Sequence, residues 1–169
     1  LVNIDANSVT TPANYNGTDR WVGAPLIGVS DGVSPVFNAG KVQCSFFSQS
    51  WAAVGRLHIY GDIIVPGSVY DVSSCQSPTN CSTALRIATA KFGDIVSPLV
   101  SAQPNFQDIV SIVQKFQGVP AGPSKTRTKL AEPVAPANLV NFGEVAADVS
   151  AFQGKTYKQV FIAVPAVCP

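Results

Sequence analysis

The sequence predicts a mainly β protein with a small α part: a β-sandwich or jelly-roll-like domain followed by a pair of short antiparallel helices. Through residues 20–96 short runs of alternating apolar and polar residues are punctuated by turn dipeptides, with no helical period between them. Beyond them, the motif Asn-Phe-x-acid-(Ile/Val), then Val, then Phe-Gln-Gly, occurs twice at an offset of 36 residues. Within each copy the apolar residues fall at helical spacing.

Residues 1–19 form an extended, Ser/Thr-rich arm headed by Leu1-Val2-Asn3-Ile4-Asp5, which alternates like an edge strand. Unpaired edges recruit strands from other chains. Leu1, Val2 and Ile4 are therefore a candidate assembly arm that adds to the open sheet of a neighbouring copy. The β-sandwich domain spans residues 20–100, with strands expected at Leu26–Val29, Gln43–Phe47, Arg56–Tyr60, Ile63–Val65, Val69–Val72 and Leu85–Ala88. Asn16-Gly17, Asp31-Gly32 and Pro66-Gly67 supply the turns. Many short strands at this spacing suit a sandwich or jelly roll.

Tandem helical repeats occupy residues 101–158. Asn105, Phe106, Asp108, Ile109, Val113, Phe116, Gln117 and Gly118 match Asn141, Phe142, Glu144, Val145, Val149, Phe152, Gln153 and Gly154, so a duplicated structural unit is expected. Asn105 with Asp108, and Asn141 with Glu144, have capping-box spacing, in which the Asn accepts an early backbone N–H and the acid reaches back. Gly118 and Gly154 supply the left-handed position that stops each helix. Helices of about 12 residues do not stand alone in water. Both apolar stripes, Phe106, Ile109, Val110, Val113, Phe116 and Phe142, Val145, Ala146, Val149, Phe152, are therefore expected to be buried against each other and the preceding domain. Between the copies, residues 119–140 read as a Pro-rich linker in which Lys125, Arg127 and Lys129 form a solvated edge. Residues 159–169 read as a closing strand and tail, with Val160–Val164 returning to the sheet.

Four cysteines, no methionine and a start at Leu1-Val2-Asn3 point to a processed extracytoplasmic polypeptide, secreted or at the cell surface. Cys75 and Cys81 bracket a turn-rich stretch that a disulfide closes readily. Cys44 and Cys168 would then pair and clip the tail, although the spacing admits all three connectivities. No CxxC or Cys/His cluster suggests a metal. Charged residues are only 12% and net charge is +1, which gives little repulsion between copies; a chain mostly buried or rich in Ser, Thr and Asn is the simpler account, with self-association or a large partner interface beside it. The basic residues do not cluster with aromatics, so a nucleic-acid partner is not expected. No apolar run approaches the length of a membrane span.

The succession Trp21-Val22-Gly23, Gln43-Cys44, Trp51, Leu57-His58-Ile59-Tyr60-Gly61, Ile64-Val65-Pro66-Gly67-Ser68-Val69-Tyr70, Gly93-Asp94-Ile95-Val96, the two Asn-Phe repeats and Cys168-Pro169 resembles the C-terminal module of large secreted bacterial proteins that carry a dockerin-like tail. The resemblance implies secretion and a β-domain with paired helices, and no reaction. In dockerin repeats a calcium loop takes oxygen ligands at positions 1, 3, 5, 9 and 12. Asn105 and Asp108, and Asn141 and Glu144, match positions 9 and 12. Ser97, Leu99 and Ser101, and then Pro133, Ala135 and Ala137, stand at the earlier positions. The loops are too poor in carboxylates for Ca²⁺, so capping is the better account of the acids and no cofactor is expected.

No catalytic constellation is legible. His58 is the only histidine and reads as a packed strand residue. Asn3, Asp5 and Asn7 read as a solvated strand face, and Asp62, Asp71 and Asp94 as turn residues. Trp21, Trp51, Tyr60 and Tyr70 could make a sugar-stacking platform, with core packing the simpler role. Asn16-Gly17-Thr18 and Asn80-Cys81-Ser82 fit the N-glycosylation acceptor pattern. The expectation is a non-enzymatic, secreted or cell-surface assembly module that binds copies of itself or another surface protein. A carbohydrate-binding module and a calcium-dependent adhesion module are its rivals.

Overall fold

The computed structural model describes residues 2–6, 20–23, 26–29, 37–50, 57–61, 64–96, 104–120, 122–131 and 140–160. These make a mainly β chain with a small helical part. The strands are β1 (Val2–Ala6), β2 (Arg20–Val22), β3 (Leu26–Val29), β4 (Phe37–Gln43), β5 (Leu57–Tyr60), β6 (Val69–Ser77), β7 (Asn80–Cys81) and β8 (Leu85–Ala88). The helices are α1 (Phe106–Phe116), α2 (Lys125–Thr128), α3 (Phe142–Phe152) and α4 (Tyr157–Val160).

The strands form one continuous hydrogen-bonded array along β3-β4-β2-β1-β6-β7, with β5 added to β4 and β8 to β6. Pairing is antiparallel throughout except between β4 and β5, where Asn38 to Lys41 run parallel with Leu57 to Tyr60. The N-terminal arm is corrected by this topology. Its residues 2–6 are not a free edge but an inner strand, with Asn3 opposite Trp21 on one side and Val2 to Ala6 opposite Ser74 to Tyr70 on the other. Pairing on both sides within the chain uses the backbone groups that were to recruit a neighbour. Leu1 lies outside the described residues.

Two strand boundaries also differ from the expectation. The run expected at residues 43–47 ends at Gln43, the last residue of β4, and the following residues 44–50 are irregular. Ile64 and Val65 are not strand but lead into the Pro66-Gly67 turn, where Gly67 has φ +67°.

Val22, Val42 and Tyr70 form the sheet core, with Leu57, Ile59, Ile64 and Val72 packed against it. Tyr70 is buried, and its Oη satisfies its polarity by accepting from Val65 N at 2.8 Å. Gly40 lets β4 pass close to its neighbours: a Cβ there would lie 2.5 Å from Val22 Cγ1. Cys75 and Cys81 face each other in register across β6 and β7 and are disulfide-bonded. Cys44 is also disulfide-bonded and its Sγ accepts from Arg20 Nη1; the expected partner Cys168 lies outside the described residues.

The helical part has its own core. Ile95, Ile112, Val140 and Val145 form one cluster, and Phe92, Ala147 and Ala151 another. Leu130 touches both, and Tyr157 of α4 closes the second with its ring edge-on to Phe92 at 5.5 Å. The linker is thus not a bare connection, since it contributes α2 and a core residue. The tail is corrected as well, because Val160 ends a helical turn instead of starting a strand; residues 161–169 lie outside the described residues.

Candidate functional site

The duplicated helix pair α1 and α3 is where sequence and structure concentrate. Each helix starts with a complete capping box. Asn105 Oδ1 accepts from Gln107 N at 2.7 Å while Asp108 Oδ2 accepts from Asn105 N at 2.9 Å. In the second copy Asn141 Oδ1 accepts from Gly143 N at 2.7 Å and Glu144 Oε2 from Asn141 N at 2.8 Å. Gly118 and Gly154 follow the helix ends with φ of +76° and +86°. These caps satisfy backbone groups that a helix end otherwise leaves orphaned.

The capping acids do more than cap. Asp108 is buried, and its Oδ1 also accepts from Ile95 N at 2.9 Å and Val96 N at 3.0 Å, which ties the preceding segment to the helix. Glu144 uses its remaining oxygen differently. Its Oε1 accepts from Lys129 Nζ, and both side chains are withdrawn from solvent. Lys129 is therefore not part of a solvated edge: with a buried carboxylate opposite, the ammonium is stabilised inside instead of in water. Arg127 remains exposed and donates from Nη1 to Ile95 O at 3.2 Å.

The two helices run antiparallel. Pro104, before α1, and Ala151, near the end of α3, both crowd the position of a Cβ on Gly93, at 2.9 and 2.5 Å. Ile112 in the second half of α1 shares a cluster with Val145 in the first half of α3. Between these, Asp108 and Asp148 are near enough for the charge of one to raise the pKa of the other. Asp148 is fully buried with neither carboxylate oxygen hydrogen-bonded, and desolvation first, then Asp108, pushes its pKa up to about 7.

The apolar stripes are only partly buried, contrary to the sequence expectation. The inward face of α1 carries Asp108, Ser111 and Ile112, and that of α3 carries Glu144, Val145, Ala147, Asp148 and Ala151. Ile109, Val110, Val113 and Val149 are half-buried. Phe106, Phe116, Phe142 and Phe152 are 68%, 48%, 72% and 45% exposed. The reason is geometric: Asp108 and Glu144 face the segments that precede their helices, at Ile95, Val96 and Lys129, which leaves the Phe-bearing stripe on the far side of each helix. No exposed or half-buried residue of α1 or α3 is charged except Lys115.

The other singled-out residues are scattered. Trp21 is buried and packs edge-on to Phe46 at 4.8 Å, and Tyr70 lies in the sheet core, so neither offers a stacking face. His58 is half-buried in β5, opposite Ala39. Asp71 on β6 pairs with Arg86 on β8 through two contacts of 2.8 and 2.9 Å, and Asp94 is buried. Edge strand β8 also exposes Leu85 and Ile87. Trp51, Asn7, Asp62 and the early positions of the two loops compared with calcium sites, Ser97, Leu99, Ser101, Pro133, Ala135 and Ala137, lie outside the described residues. Among the described residues no three His, Cys, Asp or Glu are placed to hold a metal ion, and no helix is long and apolar enough to cross a membrane. No protein-family model, characterised protein or solved structure matches the chain.

Asp148 was missed in the sequence and Lys129 was placed on a solvated edge, although comparing the copies exposes both. Asp148 stands where the first copy has Ile112, and Lys129 where it has Gly93. A charge at the core position of one repeat is a departure that only the repeat alignment reveals.

Proposed function

We propose that the chain is a non-enzymatic structural module of a secreted or cell-surface protein that assembles with copies of itself. The observation that carries this reading is the aromatic, almost charge-free face of the duplicated helix pair. Protein interfaces concentrate aromatic side chains and deplete charge at their centre, and contiguous exposed apolar surface on this scale marks an interaction site. The low overall charge of 12% supports it. Secretion is supported by the Cys75–Cys81 disulfide and by disulfide-bonded Cys44, since disulfides persist in oxidising compartments. A sandwich-like closure of the β-domain and a dockerin-like descent of the helix pair belong to the same reading, supported by the many short strands and by the paired caps.

The native mass, measured by light scattering without reducing agent and with and without chelator, tests it. A regular particle larger than the 17.7 kDa chain, unchanged by chelator, is expected. A monomer at every concentration overturns the reading.

A further inference from the structure

We infer that a second copy of this chain packs on the helix pair, α1 and α3 of one copy against α1 and α3 of the other, with Phe106, Phe116, Phe142 and Phe152 at the corners of the contact. The inference rests on the assembly reading above and names its surface and its symmetry.

The argument starts from the duplication. A rotation that exchanges two antiparallel helices and reverses their direction must run perpendicular to the plane of the pair, so it leaves top and bottom unchanged. Equivalent residues of the two copies therefore lie on one face. Because the start of α1 lies beside the end of α3, Phe106 and Phe152 sit at one end of that face, and Phe116 and Phe142 at the other. Val110 and Ala146, equivalent at the offset of 36, fall near its centre. Exposure follows the same symmetry: 68% and 72% for the two leading phenylalanines, 48% and 45% for the two trailing ones.

The amount of open surface is what a dimer needs. At roughly 200 Å² per ring, the four fractional exposures leave on the order of 450 Å². That is over half of the ~800 Å² each partner gives to a standard interface, before Ala146 and the half-buried valines are added. The face has its own near-twofold symmetry, and Lys115, nine residues after Phe106, falls on the opposite side of α1, so the face meets a copy of itself without opposing like charges. Paired face to face, the helices make a four-helix layer in which every corner phenylalanine gains an apolar neighbour.

The full-length, oxidised chain is measured by sedimentation equilibrium beside the Phe106→Ser/Phe142→Ser variant. Both substitutions are at exposed first-turn positions, where serine is tolerated in a helix. The wild type is expected to contain a dimer of twice 17.7 kDa as its smallest assembly unit, and the variant to lose at least 30-fold in self-affinity. In a second measurement, Ala146→Cys is treated with a short bismaleimide on the otherwise native chain. Covalent dimer is expected, and it disappears when the two Ser substitutions are added. A particle larger than the monomer that keeps its mass in the Ser variant and gives no cross-link at residue 146 overturns this inference and leaves the assembly reading standing. A wild-type chain that is monomeric at all concentrations overturns both.

Discussion

Lys129 Nζ lies 2.5 Å from Glu144 Oε1, and both side chains are almost wholly buried. Among the described residues the first copy of the repeat shows no such pair, and Asp108 accepts from the backbone N–H groups of Ile95 and Val96 instead. One lysine side chain thus does for the second helix what two peptide groups do for the first. Removing one partner of a buried pair strands a charge, at a cost of ~3–5 kcal/mol. Lys129→Met should lower unfolding stability in urea by that amount. Lys129→Met combined with Glu144→Gln should recover most of it, since Gln keeps the capping hydrogen bond. A double variant as unstable as the single one would contradict the stranded-charge account.

Gly93 and Gly118 both have positive φ, +81° and +76°, yet they predict different costs. A Cβ on Gly93 would stand 2.5 Å from Ala151 Cβ and 2.9 Å from Asp148 Oδ1, whereas one on Gly118 meets nothing within 4 Å. Gly118→Ala should cost only the backbone strain of about 1–2 kcal/mol. Gly93→Ala adds overpacking of about 1–3 kcal/mol at the seam where the segment before α1 meets α3. Equal melting temperatures for the two variants would show that the seam yields.

The capping boxes predict a ratio. Asn105→Ala and Asn141→Ala each remove one accepted N–H at a helix start, and each should cost ~1 kcal/mol. Asp108→Ala orphans three backbone donors, on Asn105, Ile95 and Val96. Unmade buried hydrogen bonds cost ~1–3 kcal/mol apiece, so this variant should lose several-fold more stability than either Asn variant. Amide exchange should localise the loss: in Asp108→Ala the Ile95 and Val96 amides exchange fast, while in Asn105→Ala they stay protected.

What was legible in the sequence was local. Asn at the cap, an acid three residues on and Gly after the end fix the ends of α1 and α3 because those signals act within a few residues. Strand positions such as Leu85–Ala88 follow from alternation in the same way. What was hidden depends on residues far apart in the chain. That Val2–Ala6 sits between β2 and β6 follows from pairings with residues 16–18 and 64–72 positions away, about which alternation says nothing. The outward turn of the phenylalanines was hidden for a second reason. Periodicity finds the apolar face of a helix, but here the buried face includes Asp108, Glu144 and Asp148, the first two satisfied by their caps and by Ile95, Val96 and Lys129 and the third neutralised by burial.

Asp148 gives that hidden seam a pH dependence. Its folded pKa of about 7 lies above the ordinary 3.8, raised by desolvation and then by the charge of Asp108. Between those two values the folded chain binds a proton at Asp148 that the unfolded chain has already released. The associated stability is complete below about pH 4, falls as pH rises towards 7, and is gone above it. A tenfold difference in proton affinity is worth about 1.4 kcal/mol, so the loss is on the order of 4 kcal/mol. Urea titrations spanning weakly acidic to weakly alkaline pH should show wild-type stability falling across the series. Asp148→Asn, which cannot ionise, should remove most of that slope whatever its own offset. A variant with the wild-type slope would assign the pH dependence to another group and leave Asp148 ionised in the fold.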